Sequence, residues 1–144
     1  MTVYFQLLSP TATAPQRMTE HASGFDLCAD LSEAQTIPAG GITAIPTGLA
    51  VEIPPGYEAQ IRPRSGLALK HGLGILNSPG TIDADYRGEI KVIMINLGEE
   101  EMLITPRMRI AQMVFCPVLI PELCPSTLLQ PSTRQDGGFG HTGH

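Results

Sequence analysis

Residues 80–90 hold two carboxylates, a phenol and a guanidinium between two glycines. The carboxylates are Asp83 and Asp85, the phenol is Tyr86, and an apolar run follows at residues 92–95. Asp and Gly favour turns and β-branched residues favour strands, so the stretch also fits an ordinary hairpin with a charged tip. On a regular strand the two carboxylates would share a face and bind a divalent metal, whereas at a hairpin tip they diverge. We favour the hairpin, with Asp83 acting singly as a base.

A second candidate site begins where a predicted strand ends at residue 61. Arg64, Ser65 and Gly66 precede a short run of good helix formers. Backbone amides at a helix start, with an arginine and a hydroxyl beside them, form an anion-binding corner. The plainer interpretation is a capped strand-to-helix junction, with Ser65 as the N-cap and solvated arginines.

Two polar residues, Arg109 and Gln112, lie on a predicted strand that is otherwise apolar. Polar groups buried in such a strand need hydrogen-bonding partners. A structural salt bridge accounts for Arg109, and Gln112 is a candidate to orient a phosphate or a water molecule.

The C-terminal tail combines Arg134 with a glycine-rich run that contains Phe139 and Thr142. Glycine-rich backbone wraps phosphates with its amides, and an aromatic ring stacks on a base. The competing interpretation is a disordered terminus. A metal site at His141 and His144 has little support, because no further ligands accompany them.

Composition limits the classes of function. At 144 residues the chain is the size of one domain, and its net charge of −5 provides no general field for nucleic acid or an anionic membrane. The three cysteines, an odd number, lack zinc-site spacing, which favours a reduced chain without structural zinc. Residues 1–8 have no basic n-region, and no apolar run reaches the length of a membrane span. We therefore expect a cytoplasmic protein with no nucleic-acid or membrane partner.

Short alternating segments between Gly and Pro predict an all-β fold with at most one short helix. A helical turn is predicted over residues 65–70, ended by Gly72. Strands separated by turns, among them the turn at residues 54–56, predict two successive hairpins. Strands are predicted over residues 3–8, 23–29, 42–45, 48–53, 57–61, 89–96, 102–104 and 109–115. The strand at 89–96 is apolar on both faces, so we expect a core on one side and a subunit interface on the other.

Five stretches together resemble the trimeric dUTPase family. They are residues 23–27 (SGFDL), 63–67 (PRSGL), 80–89 (GTIDADYRGE), 109–112 (RIAQ) and the tail 134–143. The resemblance implies a β-barrel or jelly roll assembled as a homotrimer with shared active sites. It also implies a β-domain at 1–127 and a flexible Gly-rich arm at 128–144 that closes over the active site.

The implied reaction is hydrolysis of dUTP to dUMP and pyrophosphate, which keeps uracil out of DNA and supplies dUMP for thymidylate synthesis. Mg²⁺ is implied as the cofactor, held through the substrate phosphates and water rather than by a cluster of protein ligands. Asp83 would activate the attacking water, and Tyr86 would pack against deoxyribose where a 2′-hydroxyl would clash.

The resemblance assigns further roles residue by residue. The phosphates would be contacted by Arg64, Ser65, Gly66 and Gln112, and of these Arg64 and Gln112 would also be catalytic. Asp26 would orient Arg64, and Arg109 would be a second supporting residue of the site. Asn77 and the backbone of Gly80, Thr81, Ile82 and the residues onward to Lys91 would read uracil. From the tail, Phe139 would close over uracil, while Arg134, Gly140, His141 and Thr142 would bind the distal phosphates.

The chain departs from the family pattern in its tail. The family usually has Gly after the tail arginine and Ser before the threonine, where this chain has Gln135 and His141. Two alternatives stay open. The first is a deoxycytidine triphosphate deaminase, which shares the fold but needs a glutamate base where this chain has residues 83–86. The second is a catalytically idle nucleotide-binding or signalling protein, which would retain only the scaffold.

Overall fold

The structure is a computed structural model, and it describes residues 1–138. Within these residues it contains eleven β-strands and one α-helix. In chain order they are β1 (Tyr4–Leu7), β2 (Phe25–Cys28), β3 (Gln35–Ile37), β4 (Ile42–Pro46), β5 (Leu49–Glu52), β6 (Tyr57–Arg62), α1 (Ser65–His71), β7 (Leu73–Ile75), β8 (Gly80–Ile82), β9 (Lys91–Asn96), β10 (Met102–Ile104) and β11 (Arg109–Pro117). The expectation of an all-β fold with one short helix is confirmed.

The strands pair antiparallel, but between partners distant in sequence. The larger sheets have the orders β2-β11-β6-β8 and β4-β9-β7, and β1-β5 and β10-β3 form two-stranded sheets. The predicted pair of successive hairpins is therefore wrong. A turn does join β5 to β6, but β5 pairs with β1 while β6 pairs with β8 and β11. Local turn signals report only where the chain reverses, and burial of the apolar faces decides which strands become neighbours.

Residues 80–90 are likewise not a hairpin. β8 pairs with β6, whereas β9 pairs with β4 and β7 in another sheet. The segment between them is a connection from one sheet to the other, with a turn closed by the Tyr86 amide on the Asp83 carbonyl at 3.2 Å. Three short strands that we did not predict, β3, β7 and β8, have three residues each. Such short strands form because a partner strand is already in place, which a local pattern does not reveal.

The helix α1 begins and ends close to the predicted positions. Its C-terminus is at Gly72, which has a φ of 64° and donates its amide to the Ala68 carbonyl at 3.0 Å. This left-handed cap confirms the predicted end. Ser65 as the N-cap is wrong, because Arg64 occupies that position in an extended conformation and no side chain caps the first turn. Ser65 is exposed at the first position of the helix.

The core lies between the larger sheets. Alternate residues of β9, Val92 and Met94, are buried and join a cluster with Ala59 and Ile61 of β6 and Met113 of β11. The opposite side of β9 is only half-buried within the chain. The subunit interface that we expect on this side of β9 therefore stays a prediction.

Beyond β11 the described chain is irregular and mostly exposed. Residues 118–138 contain no helix or strand, and their large apolar side chains, Leu119 and Leu123 among them, are mostly exposed. The three cysteines are free. Of the helices described, none has the length and apolarity that crossing a membrane requires.

Replacing Asn96 by alanine should destabilise the fold by about 3 kcal/mol, because its fully buried amide (0% exposed) makes several hydrogen bonds to backbone. The Nδ2 group donates to the Ile37 and Glu100 carbonyls at 3.0 and 2.8 Å, and Oδ1 accepts from the Gly98 amide at 3.0 Å. The loss is measured as a lower urea midpoint at fixed protein concentration. Leu97→Ala, at an exposed neighbour, is the control, and equal losses in both variants would contradict the assignment.

Candidate active site

The Asp83 stretch forms one wall of a cavity of about 570 Å³ at the open edge of the β6-β8 pair. Residues of β8 and β9 and of the connection between them form this wall, and Ile61 and Ile75 contribute apolar surface. The predicted site residues that line it are Asn77, Gly80, Thr81, Ile82, Asp83, Tyr86 and Lys91. We refer to this cavity as the β8 pocket. It combines an apolar base with a few polar groups at its rim, as small-molecule sites usually do.

The connection that carries Asp83 is held by its own side chains. Arg87 Nη1 donates to the Ala84 and Tyr86 carbonyls at 2.7 and 3.0 Å, which closes the turn. The Tyr86 hydroxyl donates to the Glu89 carbonyl at 2.9 Å. Asp83 is exposed at the rim of the pocket. Its carboxylate is thus accessible to a water molecule and to a ligand in the same cavity.

A second group of predicted residues lines a smaller cavity of about 340 Å³, which we call the arginine corner. The residues lining it are Met18, Asp26, Arg64, Ser65, Gly66, Arg109 and Gln112. The Asp26 carboxylate accepts from Arg109 Nη1 at 3.0 Å and lies 3.7 Å from Arg64 Nε. Arg64 Nη1 also donates to the Arg109 carbonyl at 2.8 Å. One carboxylate therefore holds two guanidinium groups at a cavity whose exposed hydroxyl is that of Ser65.

Strand register explains why these residues meet. Gln112 of β11 is paired with Asp26 of β2 on one side and with Arg62 of β6 on the other. This places the ends of three strands, and the start of α1 after β6, at one edge of a sheet. Gln112 Nε2 donates to the Pro63 carbonyl at 3.0 Å, which fixes its amide towards the corner. A Cβ on Gly24 would overlap Gln112 Oε1, so the backbone at Gly24 approaches this side chain closely.

The Cys28 thiol lies close to the Asp26 carboxylate and the Arg109 guanidinium. Burial raises the pKa of the Cys28 thiol, the Asp26 carboxylate raises it further, and the Arg109 guanidinium opposes the shift. Cys28 is therefore held in its neutral form, which suits a packing residue beside the corner rather than a nucleophile.

Among residues 1–138 of one chain, none lines both cavities, so the two remain separate in this part of the molecule. Arg134, predicted to bind distal phosphates, is exposed and donates through Nε to the Gly137 carbonyl at 2.7 Å in its own turn. Next to it, Gln135 has a φ of 48°, a left-handed conformation where the family pattern has Gly. The predicted contacts of Phe139, Gly140, His141 and Thr142 lie outside the described residues.

Sequence reasoning missed part of both cavities. Ile75 lines the β8 pocket, and Met18 lines the arginine corner. Both come from segments with no chemical signature. The pairing of β7 with β9 places Ile75 at the pocket, and the bridge between Gln16 and Asp26 brings the segment of Met18 to the corner.

The positions of the potential metal ligands in residues 1–138 indicate how a metal ion would be bound. No three His, Cys, Asp or Glu side chains among them come together in a way that would hold a metal ion. Mg²⁺ usually keeps several waters and binds through one or two carboxylates together with substrate phosphates. The residues present fit an ion carried mainly by a polyphosphate.

The family model described as dUTPase matches residues 11–143. The chain belongs to the dUTPase family. A relative from Rickettsia massiliae, named deoxyuridine 5′-triphosphate nucleotidohydrolase, is 54% identical over 136 residues, covering 92% of this chain and 90% of the relative. A relative of the same name from a Thermoanaerobacter species is 53% identical over 129 residues, covering 90% and 87%.

Solved structures give the same family and the jelly-roll fold. The dUTPase of Staphylococcus bacteriophage 80alpha, solved with dUPNHPP, superposes with a TM-score of 0.89 at 27% identity and covers 99% of each chain. A mutant dUTPase from phage phi11 of S. aureus superposes with a TM-score of 0.82 at 25% identity, covering 91% of this chain and all of the other. That structure is described as revealing the coordination of a structural Mg(II) ion.

Proposed function

We propose that this protein hydrolyses dUTP to dUMP and pyrophosphate. The observation that carries the proposal is Asp83, an exposed carboxylate at the rim of a cavity that also contains Asn77 and Tyr86. Membership in the dUTPase family and relatives named for dUTP hydrolysis support the substrate. By this reaction the protein removes dUTP from the precursors of DNA and supplies dUMP for thymidylate synthesis.

In the proposed mechanism Asp83 accepts a proton from a water molecule while the water oxygen attacks the α-phosphorus. The bond between the α-phosphorus and the oxygen that bridges to the β-phosphorus breaks, and pyrophosphate leaves. Arg64, Ser65 and the amide of Gln112 hold the phosphates in place. The charge that develops on the phosphate oxygens is stabilised by groups that are already oriented before the reaction. Asp26 orients Arg64 in this way.

The β8 pocket suits the nucleoside. β8 is an edge strand, paired with β6 on one side, so backbone groups on its other edge are available to uracil. Asn77, Gly80, Thr81, Ile82 and Lys91 surround that edge. In this proposal the exclusion of thymine is steric, because its methyl group would have to fit between the ring and the edge of β8, and Tyr86 would lie against the sugar.

Mg²⁺ is the proposed cofactor, bound to the triphosphate and water. When bound, it neutralises part of the phosphate charge. Residues of the arginine corner would hold the triphosphate that carries it.

The proposed assembly is a homotrimer with shared active sites. Within the described part of one chain the β8 pocket and the arginine corner share no lining residue, which supports complete sites that combine the pocket of one subunit with the corner of another. Residues 1–127 would form the β-domain. The arm, residues 128–144, would close over a site and place Phe139, Arg134, Gly140, His141 and Thr142 on the substrate. We place the reaction in the cytoplasm, consistent with three free cysteines.

The test of the proposed function is pyrophosphate release with Mg²⁺ from dUTP, compared with dCTP, dTTP and UTP. We expect rapid release from dUTP and little from the others. Absence of release from dUTP refutes the proposal, and ammonia released from dCTP would favour the deaminase.

Deleting residues 134–144 should lower kcat/KM for dUTP by roughly 10²-fold while the trimer stays assembled, because a closing arm excludes water and adds phosphate contacts. Turnover and sedimentation are measured on the same preparations. A truncation ending after residue 140, which keeps Arg134 and Phe139, is the partial control. Dissociation of the shortened protein would show that the arm has a structural role instead.

A further inference from the structure

The Tyr86 ring is held in place although its side chain is open to solvent. Tyr86 is 43% exposed and lines the β8 pocket. An exposed aromatic side chain with no restraint samples several rotamers. Here the hydroxyl donates to the Glu89 carbonyl at 2.9 Å, so the phenol is attached at its outer end.

The Glu89 carbonyl is itself attached to the buried core. The Ile90 amide donates to the Leu49 carbonyl at 2.8 Å, and the buried Thr47 hydroxyl donates to the Ile90 carbonyl at 2.6 Å. Glu89 Oε1 accepts from the Gly48 amide at 3.0 Å. These three bonds tie residues 89–90 to residues 47–49. Consequently the acceptor that orients Tyr86 has little freedom to move.

Gly88 provides the space that the ring occupies. A Cβ at this position would overlap the Tyr86 phenol oxygen and lie 2.6 Å from Cζ and 3.0 Å from Cε2. Gly88 does not belong to the glycines with positive φ. Glycine is therefore required here for the close approach of the ring rather than for an unusual backbone conformation.

We propose that Gly88 is a positioning residue for sugar selection. By lacking a side chain, it lets the Tyr86 ring lie against the backbone of residues 88–89 and reach the Glu89 carbonyl. The ring then stands where it closes the sugar side of the β8 pocket and excludes a 2′-hydroxyl. This inference rests on the proposed function, since the sugar is that of dUTP.

The experiment is the ratio of kcat/KM for dUTP to kcat/KM for UTP in Gly88→Ala. The added methyl displaces the ring from the Glu89 carbonyl, and the exposed side chain rotates towards solvent and opens the sugar side of the pocket. We expect the ratio to fall about tenfold or more, since small misplacements of a positioning group have effects of that size. The thermal midpoint should stay close to that of the unaltered protein. A ratio within about threefold of the original would overturn the proposal.

Two further variants separate positioning from general damage. Gly74→Ala is the control, because among residues 1–138 a Cβ there meets only Ile95 Cγ2, at an ordinary 3.6 Å, and its ratio should not change. In a Tyr86→Ala background, Gly88→Ala should lower the ratio no further. An additional fall in that background would mean that Gly88 acts on something other than the ring.

If Gly88→Ala does not fold, Tyr86→Phe replaces it as the test. This variant keeps the ring and loses only the bond to the Glu89 carbonyl, so its ratio should also fall, and an unchanged ratio would overturn the proposal. Turnover by the unaltered protein distinguishes a failure of the proposed function from a failure of the role proposed for Gly88. No turnover of dUTP by the unaltered protein refutes the proposed function, whereas turnover with an unaltered ratio in the variants refutes only the role of Gly88.

Discussion

Asp83→Asn should turn over dUTP roughly 10³-fold more slowly than the unaltered protein, with little loss of nucleotide binding. Asparagine keeps the size and shape of the side chain but does not accept a proton from water at neutral pH. The Asp83 carboxylate is exposed, and within residues 1–138 it makes no side-chain hydrogen bond that the substitution would remove. Single-turnover pyrophosphate release measures the chemical step, and calorimetry with dUPNHPP measures binding.

Asp85→Asn is the matched control for this prediction. Asp85 is also an exposed carboxylate, two residues along the same connection, but unlike Asp83 it does not line the β8 pocket; both residues line a neighbouring cavity formed with residues 52–58. We expect its turnover to stay within about threefold of the original, as is usual for an exposed side chain without a catalytic contact. A comparable loss in both variants would favour the paired metal site over the single base. Turnover in Asp83→Asn above about a tenth of the original would remove Asp83 from the role of base.

Arg64→Ala should lower kcat/KM for dUTP by roughly 10²- to 10³-fold, because a preorganised cation on the phosphates is lost. Arg64 is 27% exposed, and its guanidinium is oriented by Asp26 and by the Arg109 carbonyl. Lysine keeps the charge but not the fork of donors, so Arg64→Lys should recover only part of the activity. Initial rates across dUTP concentrations provide the measurement.

Arg62→Ala is the control for the arginine corner. Arg62 is two residues away and half-buried, but it donates to Gln60 Oε1 and to Cys116 Sγ rather than lining the corner. Its loss should leave kcat/KM nearly unchanged. Equal effects at both positions would mean that general charge, rather than the placed guanidinium, accounts for the result.

Mixing the two inactive variants tests the shared site. When Asp83→Asn and Arg64→Ala chains are co-expressed in equal amounts, a site that takes Asp83 from one subunit and Arg64 from its neighbour is intact in roughly a quarter of cases. Turnover should then rise to that fraction of the original. A site built within one chain recovers nothing on mixing, and an unrestored mixture would contradict the proposed sharing of sites.

Local chemistry made several features predictable. The end of α1 at Gly72 followed from the conformational freedom of glycine, and β9 followed from a run of β-branched and other apolar residues on both faces of the strand. Asp26 and Arg64 were paired in advance only through family resemblance, because they are 38 positions apart in the chain. The three-residue strands β3, β7 and β8 were not predictable, since each is stabilised by a partner distant in the chain.

The hairpin interpretation of residues 80–90 shows where local reasoning ends. Turn-forming residues and β-branched residues correctly indicated a reversal followed by a strand. They contain no information on whether β8 and β9 pair with each other. The buried faces of β6 and β4 compete for these strands and draw them into different sheets. That separation is what opens the β8 pocket between them.

The sequence by itself determined the chemical groups of this protein: a carboxylate before a tyrosine, an arginine and hydroxyl at a helix start, a glycine-rich tail, and the dUTPase family that these motifs indicate. Only the tertiary structure decided their distribution into a β8 pocket and an arginine corner, and the attachment of Tyr86 to the Glu89 carbonyl over Gly88. The physical reason is that side-chain chemistry is a local property. Strand pairing instead depends on burying apolar faces from the whole chain at once.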